Sequence, residues 1–366
     1  MSMRCNRTVG DLLTAAFLLA SSWSAQAVVP GPLERPAQLS PHAENSVLVA
    51  VTSTPDRLVA VGERGIVVLS DDNGISWRQA KVPVSVTLTS VQFVDAKQGW
   101  AVGHGGVALH SKDGGETWEK QFDGIELAQT LLRIAKERQQ SNNGDPDELE
   151  RQVKAAELMV SDGPDKPLLD VYFVNRRTGY IIGSYNLILR TDDGGHNWQP
   201  WQAHVDNPTG LHLYAMGGSG SSLYIVGEQG SVFRSQNDGA EFEAVQTPYE
   251  GSYFDLIVDA NDQLLVSGLR GSTYRSSDSG ADWTKVEVPS SASITGSVRL
   301  KDGGFVLVNQ SGQLLLSRDK GNSFQLSPMK QLPPLAGITQ AADGGLVVVG
   351  MRGVTKVSLS SVVGSK

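Results

Sequence analysis

Six short turns place an acid or its amide two residues after a hydroxyl, a glycine two further on, and an aromatic three beyond. They are Ser70-Asp72-Gly74-Trp77, Ser111-Asp113-Gly115-Trp118, Thr191-Asp193-Gly195-Trp198, Ser235-Asn237-Gly239-Phe242, Ser276-Asp278-Gly280-Trp283 and Ser317-Asp319-Gly321-Phe324. Carboxylates beside hydroxyls are hard oxygen donors, so calcium binding is one chemistry open to them and acid catalysis another. Repetition of one fixed turn argues instead for structure. The Asp can accept the turn's own N–H groups, the Gly can take a positive φ, and the ring can leave the turn to be buried.

A second family of turns carries the more telling side chains. "GERG", "GLRG" and "GMRG" set Arg64, Arg270 and Arg352 at equivalent places, and "GHGG", "GSYN" and "GEQG" add His104, Tyr185 and Glu228. Guanidinium groups grouped on one face would bind carboxylates in a bidentate way. These six residues are the candidate partner-binding set. The opposing reading makes each arginine a solvated turn residue or pairs it with a nearby acid such as Glu63. Other chemistry finds little support, and no cofactor or metal is expected. The six histidines show no close pairing and the single cysteine, Cys5, lies at the extreme N-terminus, so zinc is disfavoured. The glycine-rich "MGGSGSSL" at 216–223 has no helix after it and reads as a flexible turn, not a phosphate loop.

The elements that carry these turns recur. Gly62, Gly103, Gly183, Gly227, Gly268, Asn309 and Gly350 lead the second kind of turn at intervals of 41, 80, 44, 41, 41 and 41 residues. The interval of 80 is one unit plus an insertion of about 39 residues. Between turns the chain is β-rich, as in "LVAVGERGIVVLS" and "LYIVGEQGSVFRS". Four strands per unit of this length predicts an all-β fold, a seven-bladed β-propeller. The Asp turns then join third and fourth strands on one face. The Gly turns join second and third strands on the other. The seventh unit ends without an Asp turn, so the proline-containing "PLERPAQLSP" (Pro32, Pro36, Pro41) is expected to pair with the last blade as its outer strand and close the ring.

The insertion, about residues 123–163, reads as a helical hairpin between blades 2 and 3. Asp123 and Glu126 open the first helix, with Ile125, Leu127, Ala128, Leu131, Leu132 and Ile134 at helical spacing. Asp145 and Pro146 open the second, with Leu149, Val153, Ala156 and Val160 as its stripe, and Gly163-Pro164 ends it. Either the stripes only pack on each other and the propeller, or the hairpin docks a partner.

Residues 1–27 combine Arg4 and Arg7, the apolar run Leu12–Ala20 and Ala25-Gln26-Ala27, the pattern of a signal peptide. Residues 28–366 are then expected to form one exported propeller domain, soluble and without a later stretch apolar enough to cross a membrane. That stretch contains no cysteine and must hold itself by burial alone. The whole chain carries a formal charge of −8, which argues against nucleic acid as a partner.

"VQFVDAKQGWAVGHGGVALHSKDGGETW" and "VYFVNRRTGYIIGSYNLILRTDDGGHNW" align without a gap over 28 residues. This phrase resembles the photosystem II stability and assembly factor family of exported seven-bladed propellers. The resemblance implies a non-catalytic assembly factor whose partner is a membrane protein or envelope complex, a photosystem II component if the organism is phototrophic. It also implies contact through an arginine-rich surface, in the periplasm or, in a phototroph, the thylakoid lumen. The Asp turns also resemble those of sialidases, which makes a glycosidase or glycan-binding propeller the alternative. The Arg-Ile-Pro segment of those enzymes is missing, because Arg133-Ile134 is followed by Ala135.

Overall fold

The computed structural model describes Met1 and residues 30–142 and 144–363. The leader expected over 1–27 lies, Met1 apart, outside the described residues. From Gly31 onward the chain forms one compact unit of seven antiparallel sheets, six with four strands and the last with three. Blade 1 is Leu48–Ser53, Leu58–Gly62, Val67–Ser70 and Arg78–Gln79, hydrogen-bonded in chain order. Blades 2 to 6 repeat it, with innermost strands Leu88–Phe93, Leu168–Phe173, Leu213–Ser219, Tyr253–Val258 and Ile294–Arg299. Each innermost strand packs on those of both neighbours, and Leu48–Ser53 also packs on Leu335–Gln340 of blade 7. The ring is closed, and the period read from the sequence is a seven-bladed propeller.

Second strands such as Leu58–Gly62, Gly179–Gly183 and Leu346–Gly350 are buried at every residue. Each is sandwiched between neighbouring blades, which is why these stretches are apolar without alternation. The Asp turns wedge the blades apart. Ser111 Oγ donates to Asp113 Oδ1 at 2.8 Å and accepts from Gly115 N at 2.8 Å, while Asp113 Oδ1 also accepts from Thr117 N at 3.0 Å. Trp118 then turns inward, buried, with its Nε1 donating to Gly115 O at 3.0 Å and its ring edge-on to Phe93 at 5.9 Å. These carboxylates are filled by their own turns. Hydrogen bonds from Ser76 and Ser70 hold Asp72 down to about 2. The Asp turn is a structural clip.

One expectation is corrected. The N-terminal segment does not add a strand to blade 7, which keeps only Leu335–Gln340, Leu346–Gly350 and Gly353–Val357. It runs instead along blade 1 and its link to blade 2. Ala37 N donates to Val82 O at 3.0 Å, Ser85 N to Pro32 O at 2.8 Å, and Gln79 Nε2 to Gln38 O at 3.0 Å. The cause is burial: Leu33 and Ala37 join the core shared by blades 1 and 2. Leu33 Cδ2 lies so close to Gly105 that a Cβ there would sit 2.8 Å from it. The corner where a fourth strand of blade 7 would end is filled by the 3-10 turn Ala43–Asn45, and a Cβ on Gly353 would lie 1.8 Å from Glu44 O. A short C-terminal helix, Leu359–Val363, buries Val362 in the core of blades 6 and 7.

The insertion is a helical hairpin, α1 (Gly124–Gln140) and α2 (Pro146–Asp162). Asp123 caps α1 through Ile125 N and Glu126 N, and Asp145 caps α2 through Glu148 N. Leu127, Leu131 and Ala135 meet Val153 and Ala156 in one core. Ile125 and Val160, expected in the stripes, are 48% and 40% exposed. Both lie at the hairpin's root, where backbone packs on backbone: a Cβ on Gly106 would meet Gly124 Cα at 2.6 Å, and one on Gly124 would meet Pro164 Cα at 2.9 Å. No room remains there for apolar side chains.

Candidate partner-binding face

The Gly turns are clamped from behind. In each blade the N–H after the leading residue donates to the carbonyl just before the same blade's innermost strand, as in Glu63 N to Val47 O, His104 N to Thr87 O and Met351 N to Pro334 O. The leading glycine is required by that closeness, since a Cβ on Gly62 would lie 2.1 Å from Val47 O. In blade 6 Asn309 leads instead, and its Oδ1 accepts from Ser311 N and Gln313 N at 3.0 Å each. A further bond ties the turn to the start of the next blade, as in Gly65 N to Val86 O and Gly230 N to Gly251 O, both 2.6 Å.

The second turn position lies in the left-handed region. Arg64, Tyr185, Gln229 and Arg270 hold φ of 56°, 55°, 53° and 58°, where blade 2 has Gly105 at 70°. A non-glycine residue there costs about 1–2 kcal/mol. Arg64 and Arg270 therefore keep a side chain where glycine would be easier, and such strain collects at functional positions.

Arg64, Arg270 and Arg352 are all exposed. Among the described residues none has an ion-pair partner, and Arg64 is not paired with the adjacent Glu63. They belong to blades 1, 5 and 7, so one arc of the face is basic, and the exposed Leu269 and Met351 precede two of them in their turns. Arginines of the Asp-turn face differ among themselves. There Arg57 and Arg78 are both bound to Asp71 and Glu116 at 2.5–3.0 Å, and Arg176 to Asp95 at 2.5 Å. Those three guanidinium groups are consumed by neighbouring carboxylates, whereas Arg318 of the blade 6 Asp turn, like the three on the Gly-turn face, is exposed with no ion-pair partner among the described residues.

The other three candidates lie on the opposite arc. Tyr185 is 66% exposed, with Lys166 Nζ 5.5 Å from its ring centre and the His212 ring edge-on at 4.5 Å. Glu228 is occupied: its Oε2 accepts from His212 N at 2.9 Å and its Oε1 lies 3.6 Å from His212 Nδ1. It orients the start of blade 4 and offers no free carboxylate. His104 is exposed beside the hairpin root. His104 and Glu228 sit at the first turn position, one before the left-handed site that Tyr185 shares with Arg64 and Arg270. Sequence reasoning missed Lys166, Leu269 and Met351. The signal for the last two was their place beside Arg270 and Arg352. Among the described residues no three His, Cys, Asp or Glu side chains converge as metal ligands.

The family model of the photosynthesis system II assembly factor YCF48 matches residues 40–136 and 150–332, leaving out the end of α1, the link and the start of α2. The chain belongs to this YCF48 family. A chloroplastic photosystem II stability/assembly factor from Cyanidioschyzon merolae is 27% identical over 205 residues, covering 52% of this chain and 45% of that protein. A photosystem II assembly protein Ycf48 from a Synechococcus strain is 27% identical over 174 residues, covering 43% and 49%. The chain thus spans about half the length of these curated relatives. A solved structure of YCF48 bound to D1 peptide superposes with a TM-score of 0.61 at 18% identity, covering 91% of this chain and 98% of that one. At that identity the likeness is one of fold. A Ycf48 from another Synechococcus strain is described as a lipoprotein.

Proposed function

We propose that the chain is a non-catalytic assembly factor: a rigid ring whose Gly-turn face holds a segment of a membrane-protein partner outside the cytoplasm while that partner matures. The observation that carries this reading is the set of three arginines on one face, exposed and without ion-pair partners among the described residues, two of them at left-handed positions. Guanidinium groups carried on clamped turns can take carboxylates or carbonyls of an incoming chain. Family membership supports the reading, as does the D1 peptide bound to the YCF48 neighbour. No described helix is long and apolar enough to cross a membrane, which suits a factor that meets its partner at the surface. The periplasm is the proposed compartment, or the lumen in a phototroph. The glycosidase alternative loses its arginine, since Arg133 lies within α1 and pairs with Glu137 at 3.0 Å.

The test is photo-crosslinking in intact envelopes from Tyr185 and from positions beside Arg64 and Arg270. Capture of one membrane protein, abolished by Arg64→Glu, Arg270→Glu and Arg352→Glu together, is the expected result. Turnover of a sialoside reporter by the purified protein, or capture unaffected by the three substitutions, would refute it.

A further inference from the structure

A groove of about 980 Å³ runs between the hairpin and the wall formed by blade 3 and its link to blade 4. The hairpin is seated at its root by the Gly106, Gly124 and Pro164 backbones and, through Leu127 and Leu131, in a core it shares with blades 2 and 3. The two helices α1 and α2 also pack on each other, and the groove opens alongside them. Its hairpin side includes Ile134 and Met159, and its propeller side Leu187 and Val205. At the rim Leu158 is 61% exposed and Tyr185 66%. Two such side chains facing one apolar cleft are unusual on a free surface and typical of a recognition site.

Charge states what the cleft wants. The other cations near the hairpin's surface are paired: Arg133 with Glu137, Lys136 with Glu157, Arg151 with Glu148 and Lys154 with Glu150, all within 3.1 Å. Arg138, at the groove's hairpin edge, has no ion-pair partner among the described residues. Asp206, on the opposite wall, is likewise unpaired there and can accept a backbone N–H. Behind the same wall, Ser184 Oγ and Asn186 Oδ1 are buried without a hydrogen-bond partner among the described residues. Tyr185 belongs both to this groove and to the Gly-turn face, so the two surfaces are continuous.

We propose that this groove receives an extended apolar segment of the partner polypeptide, with a carboxylate of that segment seated on Arg138. Apolar side chains enter between Met159 and Val205, and the acid fixes direction and register, as alternate pockets do for other extended peptides. The inference rests on the reading that the ring holds a partner chain. It adds which part of the ring takes the apolar portion: the arginine arc and the hairpin groove are two contacts of one bound chain, which multiplies affinity without enlarging either.

The test uses the chain from residue 28 onward and a fluorescein-labelled ten-residue peptide with leucine at alternate positions and one C-terminal glutamate. A second peptide carries lysine in place of that glutamate. Anisotropy should show binding of the first, weakened about tenfold by Leu158→Asp and by Arg138→Glu. Arg138→Glu should in turn favour the lysine peptide over the glutamate one, a reversal that loss of folding cannot produce. Equal binding by the parent and both variants would overturn the proposal. So would loss only in the variant lacking Arg64, Arg270 and Arg352, or a concentration-dependent dimer that Leu158→Asp dissolves. Envelope capture separates the two readings. Capture lost in the triple-arginine variant but intact in both groove variants sinks the groove and leaves the proposed function standing. A charge reversal without any envelope partner does the opposite.

Discussion

Replacing Asp255 by asparagine should make the protein more stable at alkaline pH. Asp170 and Asp255 occupy equivalent registers on the innermost strands of blades 3 and 5, opposite Ile182 and Ser267. Asp170 accepts from Ser90 Oγ at 2.6 Å and from the N–H groups of Val171 and Met216 at 2.9 Å. Asp255 Oδ2 is buried with no partner among the described residues. Burial raises Asp255 to about 7, a hydrogen bond from Ser297 only partly offsets this, and repulsion from Asp170 adds to it. Burial likewise raises Asp170 to about 6. A folded-state pKa above the unfolded 3.8 means that the stabilising state is the protonated one. That stability is complete below the unfolded value and is lost as pH rises through about 7. Between pH 5 and pH 8 Asp255 alone gives up roughly two pKa units of free energy, about 3 kcal/mol. Asparagine keeps the shape, still accepts from Ser297, and carries no charge to bury. The assay is urea unfolding followed by tryptophan fluorescence at pH 5, 6.5 and 8. The stability of Asp255→Asn relative to the parent should grow by about 3 kcal/mol across that range. Burial lowers His110 to about 4, which acts in the opposite sense but cancels in the difference between the two proteins. A constant difference across the range, or one that shrinks toward pH 8, would refute the account of a carboxyl kept protonated by burial.

Three further outcomes follow from the geometry. Arg64→Gly and Arg270→Gly should each raise stability by about 1 kcal/mol by relieving a left-handed φ, while weakening envelope capture; calorimetry and crosslinking check the two halves. Trp118→Ala, which removes a buried ring from the wedge between blades 1 and 2, should cost about 3–5 kcal/mol in urea unfolding. Ala43→Asp, which places a charge in the core of blades 7 and 1, should shorten hydrogen-exchange protection in those two blades before any other.

Much of this was legible from residue order. The leading glycines could be aligned because a carbonyl sits 2.1–2.5 Å from where their Cβ would be in blades 1, 2, 3 and 5, so the turn admits almost nothing else. The Asp turns were legible because their bonds span at most four residues, and a local motif keeps its spacing. The fate of the N-terminal segment was hidden, since prolines suit any outer position and only Leu33 and Ala37, by finding their core, decide which one. Glu228 looked like a free acid because its partner, His212, lies 16 residues away across a strand pair. Asp170 and Asp255 surfaced only once the innermost strands were in register, where other blades place Ala50, Ser90, Ala215, Gly296 and Gly337.

Every sheet is drawn from a single continuous stretch of chain, because blade 7 borrows no strand from the N-terminus. The ends meet through side-chain contacts such as Thr339 Oγ1 to Ser53 Oγ at 3.2 Å and through the shared packing of Leu48, Ala60 and Val349. Joining the termini and reopening the chain at another link between blades would therefore sever no ladder of strand hydrogen bonds. The circumference is set by how sharply each wedge turns its neighbour, and it is this angle, with no shared outer strand as a clasp, that brings the seventh sheet against the first.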